Sequence, residues 1–242
     1  MIDLLRESED LRRDVERGAV GFGVNPVLTD TTNRKKTLDM MFARPDDATP
    51  LSSPRTLADL VDEYGVELSP GQGSGLARLP MIRECRVKQA LVVLENKACM
   101  TAHSKAAPRL RNELEGARDA IIASDPVTIA GAFVLVNAAS TFVSPTYRDN
   151  AEREPNARRA AVHKQPADTR RAIERLESLP LRRRADEIGY DVLAVLTLAA
   201  ANDGTPWTLV EEPAFGSPRP SDIWHYTRAV QRLGVLYRQR FA

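Results

Sequence analysis

Cysteine is scarce in this chain of 242 residues: Cys85 and Cys99 are the two it has, too few for a disulfide framework. Joined with His103 they match no zinc-finger spacing. No apolar run reaches the length of a membrane span, and Met1-Ile2-Asp3-Leu4-Leu5-Arg6-Glu7 lacks the basic-then-apolar order of a signal peptide, so the expectation is a cytoplasmic protein with no membrane partner. An excess of charge of one sign is also missing. The formal net charge is +1, which excludes a binder that holds nucleic acid through a globally positive field. The glycine-rich Pro70-Gly71-Gln72-Gly73-Ser74-Gly75 lacks the lysine and the strand-then-helix setting of a P-loop and reads as a flexible turn. There is no Gly-x-Ser-x-Gly nucleophile elbow and no internal repeat.

What the chain does have is a run of buried type, Ala90-Leu91-Val92-Val93-Leu94, ending in Glu95-Asn96-Lys97-Ala98. In a strand, side chains alternate faces, so Glu95 and Lys97 project from one side at the end of the run. A carboxylate on a stiff element is a hard oxygen ligand for a divalent metal. A lysine beside it can orient or help deprotonate the attacking water and offset phosphate charge. The pair therefore suits metal-assisted hydrolysis of a phosphodiester. A metal needs a second carboxylate, and Glu84 is the leading candidate: Met81 to Val87 reads as a preceding strand and Lys88-Gln89 as a tight turn, which puts Glu84 across a hairpin from Glu95.

Leu91-Val92-Val93-Leu94-Glu95-Asn96-Lys97, followed by Ala98 to Lys105 and a helix, resembles the core of the PD-(D/E)XK nuclease superfamily in its type II restriction-endonuclease-like branch. The resemblance spans about residues 80 to 142. It implies a magnesium-dependent enzyme cutting double-stranded DNA, with the acidic-x-Lys triplet on Glu95 and Lys97 and the upstream acid on Glu84, in place of the family's usual Asp. Acidic residues on a preceding helix sometimes add a ligand in this family, which singles out Glu63. A symmetric site cut on both strands implies a homodimer, with a cognate DNA methyltransferase as functional partner. The alternatives are a structure-specific repair or junction nuclease and a catalytically inactive DNA-binding subunit of a defence complex.

Thr101, His103 and Lys105 lie just past the triplet, where they would reach the scissile phosphate or a nearby one. From Arg148 to Arg184 there are eleven basic residues against six acidic ones. Within that stretch Arg158, Arg159 and Lys164 are candidate DNA contacts, on a loop over 143–165 without apolar period. Residues 1–242 read as one domain, with 1–55 a helix followed by an N-terminal arm or short strands. Helices are expected over Thr56–Tyr64, Ser104–Ser124, Pro166–Leu179 and from Ser221 on, and strands over Val127–Val136, Tyr190–Leu198 and Trp207–Val210. The alternation argues an α/β fold, a mixed central β-sheet flanked by helices, in agreement with the restriction-endonuclease-like core that the resemblance implies.

Overall fold

Residues 90–94 lose nearly all contact with solvent, none more than 6% exposed, because the strand they form is covered on both faces. The computed structural model describes residues 1–29, 33, 35–144 and 160–242. In chain order the strands are β1 (Gly21–Val24), β2 (Val27–Thr29), β3 (Lys35–Thr37), β4 (Met40–Pro45), β5 (Val87–Cys99), β6 (Ile129–Asn137), β7 (Thr141–Phe142), β8 (Ala161–Val162), β9 (Val192–Ala199) and β10 (Thr208–Leu209). The helices are α1 (Ile2–Glu7), α2 (Glu9–Glu16), α3 (Leu57–Glu63), α4 (Pro70–Ala77), α5 (His103–Ser124), α6 (Ala167–Glu177) and α7 (Tyr226–Phe241).

The six-stranded sheet has the order β1-β4-β5-β6-β9-β10. It is mixed. β5 pairs antiparallel with β4 on one side and parallel with β6 on the other, and β9 continues the parallel half. A parallel pair needs a crossover, and α5 supplies it between β5 and β6. One face, carrying Val93, Ala132, Val134 and Leu193, packs under α5 and α6. The other, carrying Val92, Leu94, Phe42 and Ala194, packs under α1, α2 and α7. The fold is thus α/β with helices on both sheet faces. Among the described residues no helix is long and apolar enough to cross a membrane.

Several expectations change. Residues 18–54 hold β1 and β4 of the central sheet, so they are short strands and not an arm. The chain does not turn at Lys88-Gln89, because β5 runs unbroken from Val87. The pairing with β4 skips Lys88 and Leu91 at two irregularities, which absorb the extra residues as bulges without ending the strand. The glycine-rich stretch is a helix, α4. Ser69 accepts from Gln72 N–H, Gln72 answers the Ser69 N–H at 2.9 Å, and Pro70 stands in the first turn, a capping box strong enough to start a helix through glycines.

At the start of β6 and β9 a buried ion network ties the sheet to its surroundings. The Asp191 carboxylate accepts from Arg182 Nη2 (2.7 Å), Arg240 Nη2 (2.5 Å) and the Ala130 N–H (2.8 Å). Arg182 and Asp191 are each 1% exposed. Removing one partner strands the other charge in a dry environment, so Asp191→Ala is expected to lower the unfolding free energy by about 3–5 kcal/mol. Urea denaturation measures it, and a loss below about 1 kcal/mol would show that water reaches the network.

Candidate active site

β4 and β5 part company after Met40 and Leu94, the last paired residues. Beyond that point β5 continues through Glu95 to Cys99 with β6 alone beside it, so the Asn96 amide has lost its ladder acceptor. The Asp39 side chain takes its place: Asn96 N–H donates to Asp39 Oδ2 at 2.6 Å. Asp39 stands at a bend in the ribbon, where Asn25 in the left-handed region (φ 49°) donates its N–H to the Asp39 carbonyl (2.9 Å) and Leu38 N–H donates to the Pro26 carbonyl (3.0 Å).

Glu95 and Lys97 do project from the same face. Lys97 Nζ lies 2.5 Å from Glu95 Oε1 and 3.9 Å from Asp39 Oδ2, and it donates to the Asn96 carbonyl at 3.2 Å. Glu95 is 1% exposed. Burial pushes its carboxyl above the ordinary carboxylate range; the Lys97 hydrogen bond and the Lys36 charge pull it down, and the negative charge of Asp39 pushes it up again. Among the described residues its second oxygen, Oε2, is buried with no hydrogen-bond partner. Such an atom is costly in a dry interior unless an ion or a proton meets it. Two carboxylates with free oxygen valences suit magnesium, which takes one or two protein carboxylates and leaves its other positions to water and phosphate oxygens.

Glu84 does not join them. Gly21 has no side chain where a Cβ would lie 2.8 Å from the Arg83 carbonyl, and this lets residues 83–85 bridge to β1 at Phe22↔Glu84. Phe22 pairs with Phe42 and Phe42 with Val92, so Glu84 sits three strand spacings, about 14 Å, across the sheet from Val92, and Glu95 lies farther along β5. It cannot share a cation with Glu95. Arg55 Nε and Nη2 donate to its two oxygens at 2.7 and 2.9 Å and hold its carboxyl below the usual range. Arg55 also donates to Glu63 at 2.7 Å, which places Glu63 in that same remote cluster. The acid that sequence reasoning missed is Asp39. Its one signal is its place directly ahead of the apolar Met40-Met41-Phe42-Ala43.

His103 and Thr101 serve the scaffold. His103 is buried, and its Nε2–H donates to the Asn137 carbonyl at 2.8 Å. His163 Nδ1–H donates to the Ala139 carbonyl at 2.7 Å, and its Nε2 lies 3.4 Å from Thr101 Oγ1. The two imidazoles meet edge to face with centroids 4.6 Å apart, tying the ends of β5 and β6 to the segment leading into α6. Lys105, in the first turn of α5, and Lys164 are exposed. Arg158 and Arg159 lie outside the described residues. Comparison with protein-family models, curated proteins and solved structures returned no match.

Two pH dependences follow. A raised Glu95 carboxyl contributes stability that is fully present below the ordinary value and lost as pH rises through its folded value. Glu95→Gln is therefore expected to be more stable than the parent at pH 7 without divalent cations, by about 1–3 kcal/mol, with the gap closing toward pH 4. Thermal unfolding across that range tests it; a variant less stable at pH 7 would refute the buried charge. Burial lowers the pKa of His103, so its contribution is present above the ordinary value of about 6.5 and lost as pH falls below it. His103→Gln should flatten the loss of stability between pH 7.5 and 5, and an unchanged slope would place that loss elsewhere.

Proposed function

We propose that the chain is a magnesium-dependent endonuclease that hydrolyses phosphodiester bonds of double-stranded DNA, with a restriction-endonuclease-like core and the sequence specificity of a type II restriction enzyme. The observation that carries the reading is the convergence of Asp39, Glu95 and Lys97 at one place, with a buried carboxylate oxygen of Glu95 left without a partner. The sheet agrees: β1 and β4 lie antiparallel beside β5, which bears the acid and the lysine, and a helix leads from β5 to its parallel neighbour β6. With Asp39 in the upstream position, the family's usual Asp is present and the departure at Glu84 disappears.

In this reading Asp39 and Glu95 hold the ion and Lys97 holds water. Bound magnesium would supply charge stabilisation of the phosphorane-like transition state and of the leaving oxygen. Lys97, kept beside Glu95, donates a hydrogen bond to the attacking water and orients its lone pair toward phosphorus. Burial of the Glu95 carboxyl keeps bulk water away from its side of the reacting centre. Water adds across one P–O bond, giving a phosphomonoester and a sugar hydroxyl. Lys105 and Lys164 would meet flanking phosphates. A homodimer would place two such centres on a two-fold site, and a cognate methyltransferase would protect host DNA.

Incubating the protein with plasmid and genomic DNA in magnesium is expected to give discrete bands. Asp39→Ala, Glu95→Ala and Lys97→Ala should each reduce cutting about 100-fold or more while retaining DNA binding in calcium, whereas Glu84→Gln should cut at the parent rate. Magnesium should raise the parent's unfolding temperature and leave Glu95→Ala unmoved. A parent protein that cuts no DNA, or a Lys97→Ala variant that cuts as the parent does, would refute the reading.

A further inference from the structure

The surface past the end of β5 carries positive charge that the reaction above leaves unused. Val93 and Cys99 pack among side chains of α5 and α6, and Glu95 and Lys97, alternating with the same period between them, point to that same sheet face. Both helices begin at the strand ends. α5 starts at His103, soon after β5 stops at Cys99, and Thr169 Oγ1 donates to the Asn137 carbonyl at 2.8 Å, which fastens the first turn of α6 to the last residue of β6.

Helical period sorts the side chains of α6. Thr169, Ala172, Ile173 and Leu176 are buried, so Asp168, Arg171 and Arg175, at spacings of three and four, share one flank, and Arg170 and Glu174 share the other. Arg175 Nη1 donates to the Ser104 carbonyl at 3.2 Å, which turns the first flank toward the start of α5. Lys105 therefore adjoins it. Lys164 joins the group because its N–H donates to Asp168 Oδ2 at 2.7 Å and because its neighbour His163 meets His103 with ring centroids 4.6 Å apart. Lys105, Lys164, Arg171 and Arg175 are all exposed. On the far flank Arg170 lies 3.7 Å from Glu174, and in α5 Arg109 and Arg111 have Glu113 and Glu115, whereas among the described residues the side chains of these four reach no carboxylate.

Four unpaired cations side by side attract a polyanion, and Asp168 is the one carboxylate set among them. A nucleic-acid strand offers a phosphate about every 3.4 Å of helix axis, and this strip begins where the strand bearing Lys97 ends, on the same face of the sheet. Resting on the nuclease reading, we propose that Arg171 and Arg175, with Lys105 and Lys164, form a track along which one DNA strand lies as it leaves the scissile phosphate. Each guanidinium can grip a phosphate through two parallel N–H bonds. Contacts of this kind position the duplex and read no sequence.

The test uses the full chain with Arg171→Gln, the double variant Arg171→Gln/Arg175→Gln, and Arg170→Gln as a control from the opposite flank of the same helix, each checked for parent-like circular dichroism. Duplex affinity in calcium is read by fluorescence anisotropy over a salt series, and kcat and KM are read in magnesium. The slope of log affinity against log salt is expected to fall by about one in Arg171→Gln and about two in the double variant. Kd and KM should rise about tenfold or more in the double variant, with kcat little changed, while Arg170→Gln keeps the parent's affinity and slope. A parent-like slope in the double variant, or an equal fall in Arg170→Gln, would overturn the track and leave the nuclease standing. A parent that binds duplex with the arginine-dependent slope yet never cuts would overturn the nuclease and keep the track, and a parent that binds no duplex would overturn both.

Discussion

One hydrogen bond, from the Asn96 amide to the Asp39 carboxylate, organises the site. A strand amide that loses its neighbour inside a protein must find another acceptor or forfeit about the worth of the bond and its desolvation. Here β4 bends away while β5 goes on, and the first residue past the bend brings a side-chain oxygen to the orphaned amide. The same contact sets Asp39 beside Lys97 and hence beside Glu95. The acids come from two chain segments 56 positions apart, yet neither has freedom to drift, because backbone geometry at a strand divergence holds both.

The sheet also explains why the site opens where it does. β5 is the pivot between the antiparallel and parallel halves. On the antiparallel side the ribbon folds over one face; on the parallel side α5 crosses that same face. Glu95 and Lys97 lie beneath both. The two buried charge systems nearby differ in kind. At the start of β6 the Asp191 carboxylate is saturated by two arginines and an amide, which is how a structural ion network looks. Glu95 keeps an unused buried oxygen and a raised pKa, an incomplete pairing that favours function over scaffolding.

Much of the frame was legible in local pattern. The apolar run of β5, the 3.6-residue spacing of Leu110, Leu114, Ala117 and Ile121 in α5, and the apolar stretches of β6 and β9 each carry their own period. The same-face placement of Glu95 and Lys97 follows from alternation alone. The second acid was not legible, because its position depends on where β4 stops pairing, and β1 and β4 are short strands in a stretch punctuated by Gly21, Gly23, Pro26 and Pro45. Lys88-Gln89 resembled a turn because bulged pairing with β4 leaves no mark in hydropathy. His103 looked available to substrate since its partners, Asn137 and His163, stand 34 and 60 positions downstream.

Glu84 and Asp39 show why residue type alone does not make a ligand. Both are acids close to the same sheet. Glu84 is gripped at both oxygens by the planar fork of Arg55, a pairing whose geometry leaves little for a metal and much to lose on opening. Asp39 gives one oxygen to an amide and faces a lysine at 3.9 Å. An ammonium is a point charge on a flexible stem; it can swing from carboxylate to water or phosphate without breaking a matched pair. A site that admitted a cation and then an anion would be better built around a lysine, and Lys97 is the cation in contact with Glu95, whereas Arg55 is committed to Glu84 and Glu63.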